Sequence, residues 1–197
     1  MNDDSQERLD PIPVTVTFLK MDAPPKHYPP LPMHRQLALL RTRTIPLHFY
    51  RYLMDRVGRK WHWVNALRME DAALAQALHA PDRDIRVLYM DGAPAGFFDI
   101  KMHLPRNAEL GYFGLMDHAM GLGVGRWFLG AAIEACWSHG PREITVQTCT
   151  LDHPSALPLY QKLGFEPVGQ TSESIRPMPL RQRADILLRP APAGMRT

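Results

Sequence analysis

The residues with the strongest chemical signal lie between Glu109 and Arg126. There the apolar run Leu110-Gly-Tyr-Phe-Gly-Leu-Met116 passes through Asp117 and His118 into Met120-Gly-Leu-Gly-Val-Gly-Arg126. Alternating glycines let a backbone bend with its N–H groups exposed, and the unpaired N–H groups and positive dipole end of a following helix point at the same place. Such a turn is an anion site, and a phosphorylated cofactor suits it. The spacing narrows the cofactor. A dinucleotide fingerprint needs Gly-x-Gly-x-x-Gly, but counting from Gly121 puts Arg126 at the third position and counting from Gly123 puts Phe128 there. A nucleotide-triphosphate loop needs Gly-Lys followed by Ser or Thr, which is missing here.

The turn resembles the pyrophosphate loop of the Gcn5-related N-acetyltransferases, Gln/Arg-x-x-Gly-x-Gly/Ala, in the form Met120-Gly-Leu-Gly123-Val-Gly125, with Met120 in place of Gln or Arg. A second block, Thr150-Leu-Asp-His-Pro-Ser-Ala156-Leu-Pro-Leu-Tyr160-Gln-Lys-Leu-Gly164-Phe165, is similar to the family's Asn-x-x-Ala-x-x-x-Tyr-x-x-x-Gly-Phe segment, with His153 in place of Asn. Together, in this order and at this separation, the two blocks carry a resemblance over roughly residues 84 to 168. The resemblance implies an acyl-CoA N-acyltransferase fold, acetyl-CoA as acyl donor, and direct transfer of the acetyl group to an amine of a small molecule or peptide. It also implies that Leu115, Met116, Asp117, His118, Gly121, Leu122, Gly123, Val124, Gly125, Arg126, His153, Ala156 and Tyr160 line the cofactor, and that a homodimer is possible.

Acetyl transfer needs a positioned donor, a polarised carbonyl, removal of an amine proton and protonation of the leaving thiolate. Tyr160 is the candidate for the last role. The resemblance puts its phenol near the coenzyme sulfur, and an ordinary pKa of about 10 keeps it protonated at neutral pH; the alternative is an aromatic packing beside Leu157 and Leu163. Glu109 and Asp99 are the candidate bases, each in an otherwise apolar strand, with an outward-facing charge as the competing reading. Arg126 in a first helical turn opposes the helix dipole, so a bound phosphate would account for it, as would simple solvation. The aromatic segments His48-Phe-Tyr-Arg-Tyr52 and Trp61-His-Trp63 suit either an acceptor pocket for an apolar or cationic substrate or the core.

Elements that would hold these residues can be read from periodicity. Val14 to Met21 alternates as a half-buried strand, and prolines at 24, 25, 29, 30 and 32 impose an extended surface path. A helix is expected from Pro46 to Val57, stopped by Gly58, and a short one from Glu70 to His79. Asp84–Met90 and Ala95–Met102 flank an Asp91-Gly92 hairpin turn. A strand over 108–116, a helix over 123–138 with an apolar stripe of Phe128, Ala131, Ala132, Ala135 and Cys136, and a strand over 143–150 follow, with a right-handed crossover. Pro158 predicts a helix that starts late, with this proline near its first position and Tyr160 rotated accordingly. Residues 168–175 and 184–189 read as a final strand pair. The fold class is α/β: a mixed, mostly antiparallel twisted sheet with helices on both faces.

A chain of 197 residues fits one domain. The expected division is a leader over 1–13, a single domain over 14–190 and a frayed tail over 191–197. Cys136 and Cys149 read as reduced thiols. A net charge of +3, scattered, gives no case for nucleic acid, and no apolar run suggests a membrane segment or secretory signal, so a cytoplasmic protein is expected. No spacing of His, Cys and carboxylates suggests a metal site and no Gly-x-Ser-x-Gly suggests a serine hydrolase. Two further readings stand beside acetyl transfer: a non-catalytic acyl-CoA sensor, and an NAD-dependent oxidoreductase in which Asp152 would hold a ribose.

Overall fold

The structure is a computed structural model that describes residues 9–189, so the expected tail over 191–197 and the first eight residues of the expected leader lie outside the described residues. Seven strands form one sheet: β1 (Ile12–Met21), β2 (Leu37–Thr42), β3 (Arg83–Met90), β4 (Ala93–His103), β5 (Asn107–Leu115), β6 (Glu143–Cys149) and β7 (Glu166–Ile175), in the order β2-β3-β4-β5-β6-β1-β7. Every neighbouring pair is antiparallel except β5 and β6, which are parallel. A doubly wound parallel sheet, which the oxidoreductase reading requires, is therefore ruled out.

Helices cover both faces and enclose two cores. On one face lie α1 (Leu47–Gly58), α2 (Asn65–Arg68), α3 (Asp71–Leu78) and α6 (Leu180–Leu187). Tyr50, Leu53, Met54 and Val57 of α1, Leu74 and Leu78 of α3 and Ile186 of α6 pack on Ile85, Val87 and Phe97. On the other lie α4 (Val124–Trp137) and α5 (Ala156–Lys162), with Phe128, Leu129, Ala132, Ile133 and Cys136 packed on Leu88, Phe98, Ile100, Leu110, Ile144 and Val146. The alternation of strand side chains between faces explains the division, since Phe97 and Phe98 are adjacent yet belong to opposite cores. The proline-rich path lies across the outside of α4, where Gly130 makes room for it: a Cβ there would sit 2.6 Å from Pro29 Cδ.

The N-terminal strand enters the sheet between β6 and β7, and this accounts for one correction. Residues 168–175 do form a strand, but β1 is its partner. The expected strand over 184–189 is instead largely helix α6, which begins just after Pro179, and proline immediately before a helix costs no hydrogen bond. A helical period explains this better, because Arg183 and Ile186, three apart, are buried while the neighbouring Arg181, Gln182 and Asp185 are exposed. Buried Arg183 meets the buried carboxylate of Asp55 at 3.0 Å, tying α6 to α1. A second correction concerns Pro158, which is the third residue of α5 rather than the first, after Ser155 at the N-cap. Third-position N–H groups have no intrahelical acceptor, so the ring is tolerated without a delayed start.

Candidate functional site

The site begins where two strands part. β5 and β6 pair only over Asn107–Leu110 and Glu143–Val146. Beyond that, β5 continues against β4 as far as Leu115, while β6 continues against β1 as far as Cys149. The register of β4 and β5 shifts between Asp99 and Ile100, with Gly111 as the extra residue on β5. Such a bulge bends its strand and turns it away from its neighbour. Between the parted ends lies a cavity of about 440 Å³.

One end of the cavity is closed by the glycine turn. After a short 3-10 turn at Asp117–Ala119, Gly121 and Gly123 adopt the left-handed region with φ of +72° and +77°, and nothing lies within 4 Å of the place a Cβ would occupy on either. Gly123 is the N-cap of α4, and no side chain caps that helix. Its first-turn N–H groups have no intrahelical acceptor, so an anion is the fitting partner. These features suit a phosphate or diphosphate group.

The walls come from three further segments. Ala156, Leu159 and Tyr160 of α5 line one side. Tyr160 is wedged edge-on between Phe113 of β5 and Phe165, with ring centroids 6.4 and 5.7 Å away. It therefore packs and lines the cavity at once. Burial, and then the charge of Asp152, push its hydroxyl well above the ordinary tyrosine range. Opposite stands the turn after α1, Trp61-His62-Trp63, with His62 at φ +56°. Two glycines admit the Trp63 indole. A Cβ on Gly58 would lie 2.4 Å from Trp63 Cβ, and one on Gly114 would lie 3.2 Å from Trp63 Cη2.

Asp152 joins this turn to the far side of the cleft. Its Oδ1 accepts from Trp63 Nε1 at 3.3 Å, and its Oδ2 accepts from Thr148 Oγ1 at 2.8 Å and from the Cys149 amide at 2.9 Å. Beside it, Trp61 stands edge-on to His153 with centroids 5.4 Å apart. The Ser155 amide donates to His153 Nδ1 at 3.1 Å. With Nδ1 accepting, the ring proton sits on Nε2, which can donate as an asparagine amide would.

Of the expected cofactor residues, Leu115, Gly121, Gly125, His153, Ala156 and Tyr160 all line the cavity. Met116 and Val124 are buried in the two cores and Leu122 packs against one of them, leaving their main chains to face the turn. Asp117 pairs with Lys60 at 2.9 Å, and His118 is exposed beside it. Arg126 is exposed and lines a separate hollow with Lys162 and the proline-rich segment.

Neither candidate base lies on the cavity wall. Glu109 belongs to the stretch where β5 is still paired with β6, and its half-exposed carboxylate meets His103 at 3.4 Å. Asp99 is buried beneath α1, where it accepts from Tyr50 at 2.7 Å and from Arg83. Burial raises its pKa despite the opposing charge of Arg83. Tyr112, directly across from Asp99, does line the cavity, and burial pushes its hydroxyl up to about 12. The aromatic segments divide: Trp61 and Trp63 line the cavity, whereas Tyr50 is core. Asp152 is the carboxylate that the sequence offered only as a ribose ligand. Its one signal was its place beside His153 at the head of the second block.

Among the described residues no cluster of His, Cys, Asp and Glu could hold a metal ion, and no helix is long and apolar enough to cross a membrane.

The model of the acetyltransferase (GNAT) family matches residues 47–165. No curated protein matches the chain. Similar solved structures include a functionally unknown conserved protein from Staphylococcus epidermidis, at 13% identity and a TM-score of 0.55 over 84% of this chain and 62% of that one. A GCN5-related N-acetyltransferase from Kribbella flavida is 14% identical with a TM-score of 0.55, over 86% of this chain and 60% of that one. Another from Sphaerobacter thermophilus is 17% identical with a TM-score of 0.52, over 87% and 55%. These likenesses establish a shared fold, and the chain spans 55 to 62% of the length of the three proteins.

Proposed function

The chain belongs to the acetyltransferase (GNAT) family, and on that footing we propose that it transfers an acetyl group from acetyl-CoA to the amine of a small molecule or peptide, directly and within one ternary complex. The observation that carries the proposal is the uncapped start of α4 behind two left-handed glycines, opening onto a cleft between parted parallel strands. When bound, acetyl-CoA supplies the acyl group: the amine nitrogen bonds to the thioester carbon as the carbon–sulfur bond breaks.

In this reading the amides of residues 121–126 hold the diphosphate and the unpaired edges of β5 and β6 hold the pantetheine arm. His153 donates from Nε2 to an amide oxygen of that arm. Tyr160 gives its proton to the departing thiolate, a role supported by its place on the cavity wall and by the burial that keeps the phenol protonated. Asp152, whose charge bears on this phenol, draws the proton from the incoming ammonium and passes it to solvent, and the second proton that the nitrogen sheds as the amide forms returns to the Tyr160 phenolate. Glu109 stands outside the cavity, so a part for it in proton removal runs through water.

Calorimetric titration tests the reading. Saturable binding of acetyl-CoA in preference to NAD is expected, with free thiol appearing when an amine is added. Failure to bind acetyl-CoA sinks the proposal, and binding with no amine-dependent thiol would turn it into a sensor.

A further inference from the structure

The cavity wall carries two carboxylates, Asp152 and Glu173, and among the described residues that line it there is no lysine or arginine. Two indoles and a phenol, from Trp61, Trp63 and Tyr112, form the flat parts of the same wall. Cations on neighbouring segments are engaged elsewhere: Lys60 pairs with Asp117 at 2.9 Å, Arg83 is held by Asp99, and Arg68 donates to the carbonyls of Arg176 and Pro177 at 2.7 and 3.2 Å. Asp152 receives three hydrogen bonds that hold its carboxylate in place, and its Oδ1 takes only the longest of them, from Trp63. A carboxylate oxygen has two lone pairs, so Oδ1 keeps capacity for one more donor. Glu173 projects from β7, an exposed edge strand, and is exposed itself.

Resting on the acetyl-transfer reading, we propose that the acceptor is a cationic primary amine with no carboxylate or phosphate of its own, an arylalkylamine or alkyldiamine, anchored by Asp152 and Glu173 with its apolar part against Trp61, Trp63 and Tyr112. An ammonium gains from both carboxylates and from the faces of the aromatic rings. An amino acid or a phosphorylated sugar would bring an anion into a wall that has no fixed cation to receive it. Desolvating a charge without a partner is costly, and this sets the direction of selectivity.

Matched pairs test the inference: phenethylamine against phenylalanine, and cadaverine against lysine, titrated by calorimetry into the full chain saturated with coenzyme A. The amine of each pair is expected to bind about tenfold or more tightly than its carboxylated twin, since one unmatched charge is worth at least that much. Asp152→Asn keeps an acceptor for the Cys149 amide and should bring the ratio towards one. Glu173→Gln, on an exposed strand where folding is not at risk, should reduce it by a smaller factor. Equal affinities, tighter binding of the acids, or no binding of any of the four to the coenzyme complex overturns the inference. The parent reading fails separately, at the prior step, when coenzyme A itself does not bind.

Discussion

Replacing Gly123 by alanine separates backbone strain from ligand binding. At φ +77° an alanine pays the left-handed penalty of about 1–2 kcal/mol, and with nothing within 4 Å of its Cβ no packing clash is added. For a chain of this size that loss lowers the melting temperature by roughly 2–8 °C. Relaxation towards negative φ would also rotate the amides at the start of α4. Loss of one charge-assisted hydrogen bond to phosphate is worth about 1.5–3 kcal/mol, or roughly a tenfold to hundredfold rise in the coenzyme A Kd. Gly140 is a matched control. It has φ +71° and equally open space, but it follows the other end of α4, about 20 Å away for a helix of 14 residues. Gly140→Ala should melt as Gly123→Ala does while binding coenzyme A normally, as read by thermal unfolding and calorimetry side by side. Unchanged affinity in Gly123→Ala, or an equal loss in Gly140→Ala, would refute the idea that amides at this turn grip the cofactor.

Tyr160→Phe keeps the ring between Phe113 and Phe165, so it should fold and bind coenzyme A normally while kcat falls about a hundredfold in a thiol-release assay. Because burial raises the phenol above its ordinary value, the wild-type kcat should show no loss of this proton up to about pH 10; a Tyr160-dependent fall near pH 8 would contradict the assignment. Trp63→Phe removes the donor to Asp152 and should cost about 1 kcal/mol while raising the acceptor KM and leaving coenzyme A affinity alone. Asp84 is fully buried among Arg41, Arg86 and His139; burial alone would raise its pKa, but hydrogen bonds from Arg86 and His139 and the charges of Arg86 and Arg41 outweigh it and leave the value below 3.8. A depressed carboxylate lends stability above its unfolded pKa and loses it as pH falls through the folded one. Asp84→Asn should therefore cost about 3 kcal/mol at pH 7 in urea unfolding, with the gap to wild type closing below about pH 4.

What the sequence discloses and what it hides divide along physical lines. The strand-turn-helix from β5 to α4 was legible because glycine spacing and helical periodicity are local signals, and the observed α4 of Val124–Trp137 lies within the expected 123–138. The hairpin of β3 and β4 was legible for the same reason, through Asp91-Gly92. The partner of β7 was not, since β1 is some 150 residues away in sequence and no local pattern specifies a pairing at that distance. β2 carries little signal in the sequence because this short edge strand shows only weak alternation, with Leu40 left exposed. Within the site, His153, Ala156 and Tyr160 of the second block line the same cavity as Met120, Gly121 and Gly125 of the first, while Phe165 is core and Gly164 lies at a separate hollow. The aromatic wall of the cavity was half visible: residues at 61 and 63 stood out by type, but Tyr50 has the same chemistry and a buried fate. Only the tertiary placement of Gly58 and Gly114 explains why Trp63 reaches the cleft.

The most direct measurement is acceptor-dependent thiol release from acetyl-CoA, followed together with mass detection of the amide. The account predicts that cationic amines produce free coenzyme A and acetylated amine in equal amounts, and that Tyr160→Phe suppresses both. Acetyl-CoA that binds saturably but yields no thiol with any cationic amine, or that does not bind at all, would contradict it.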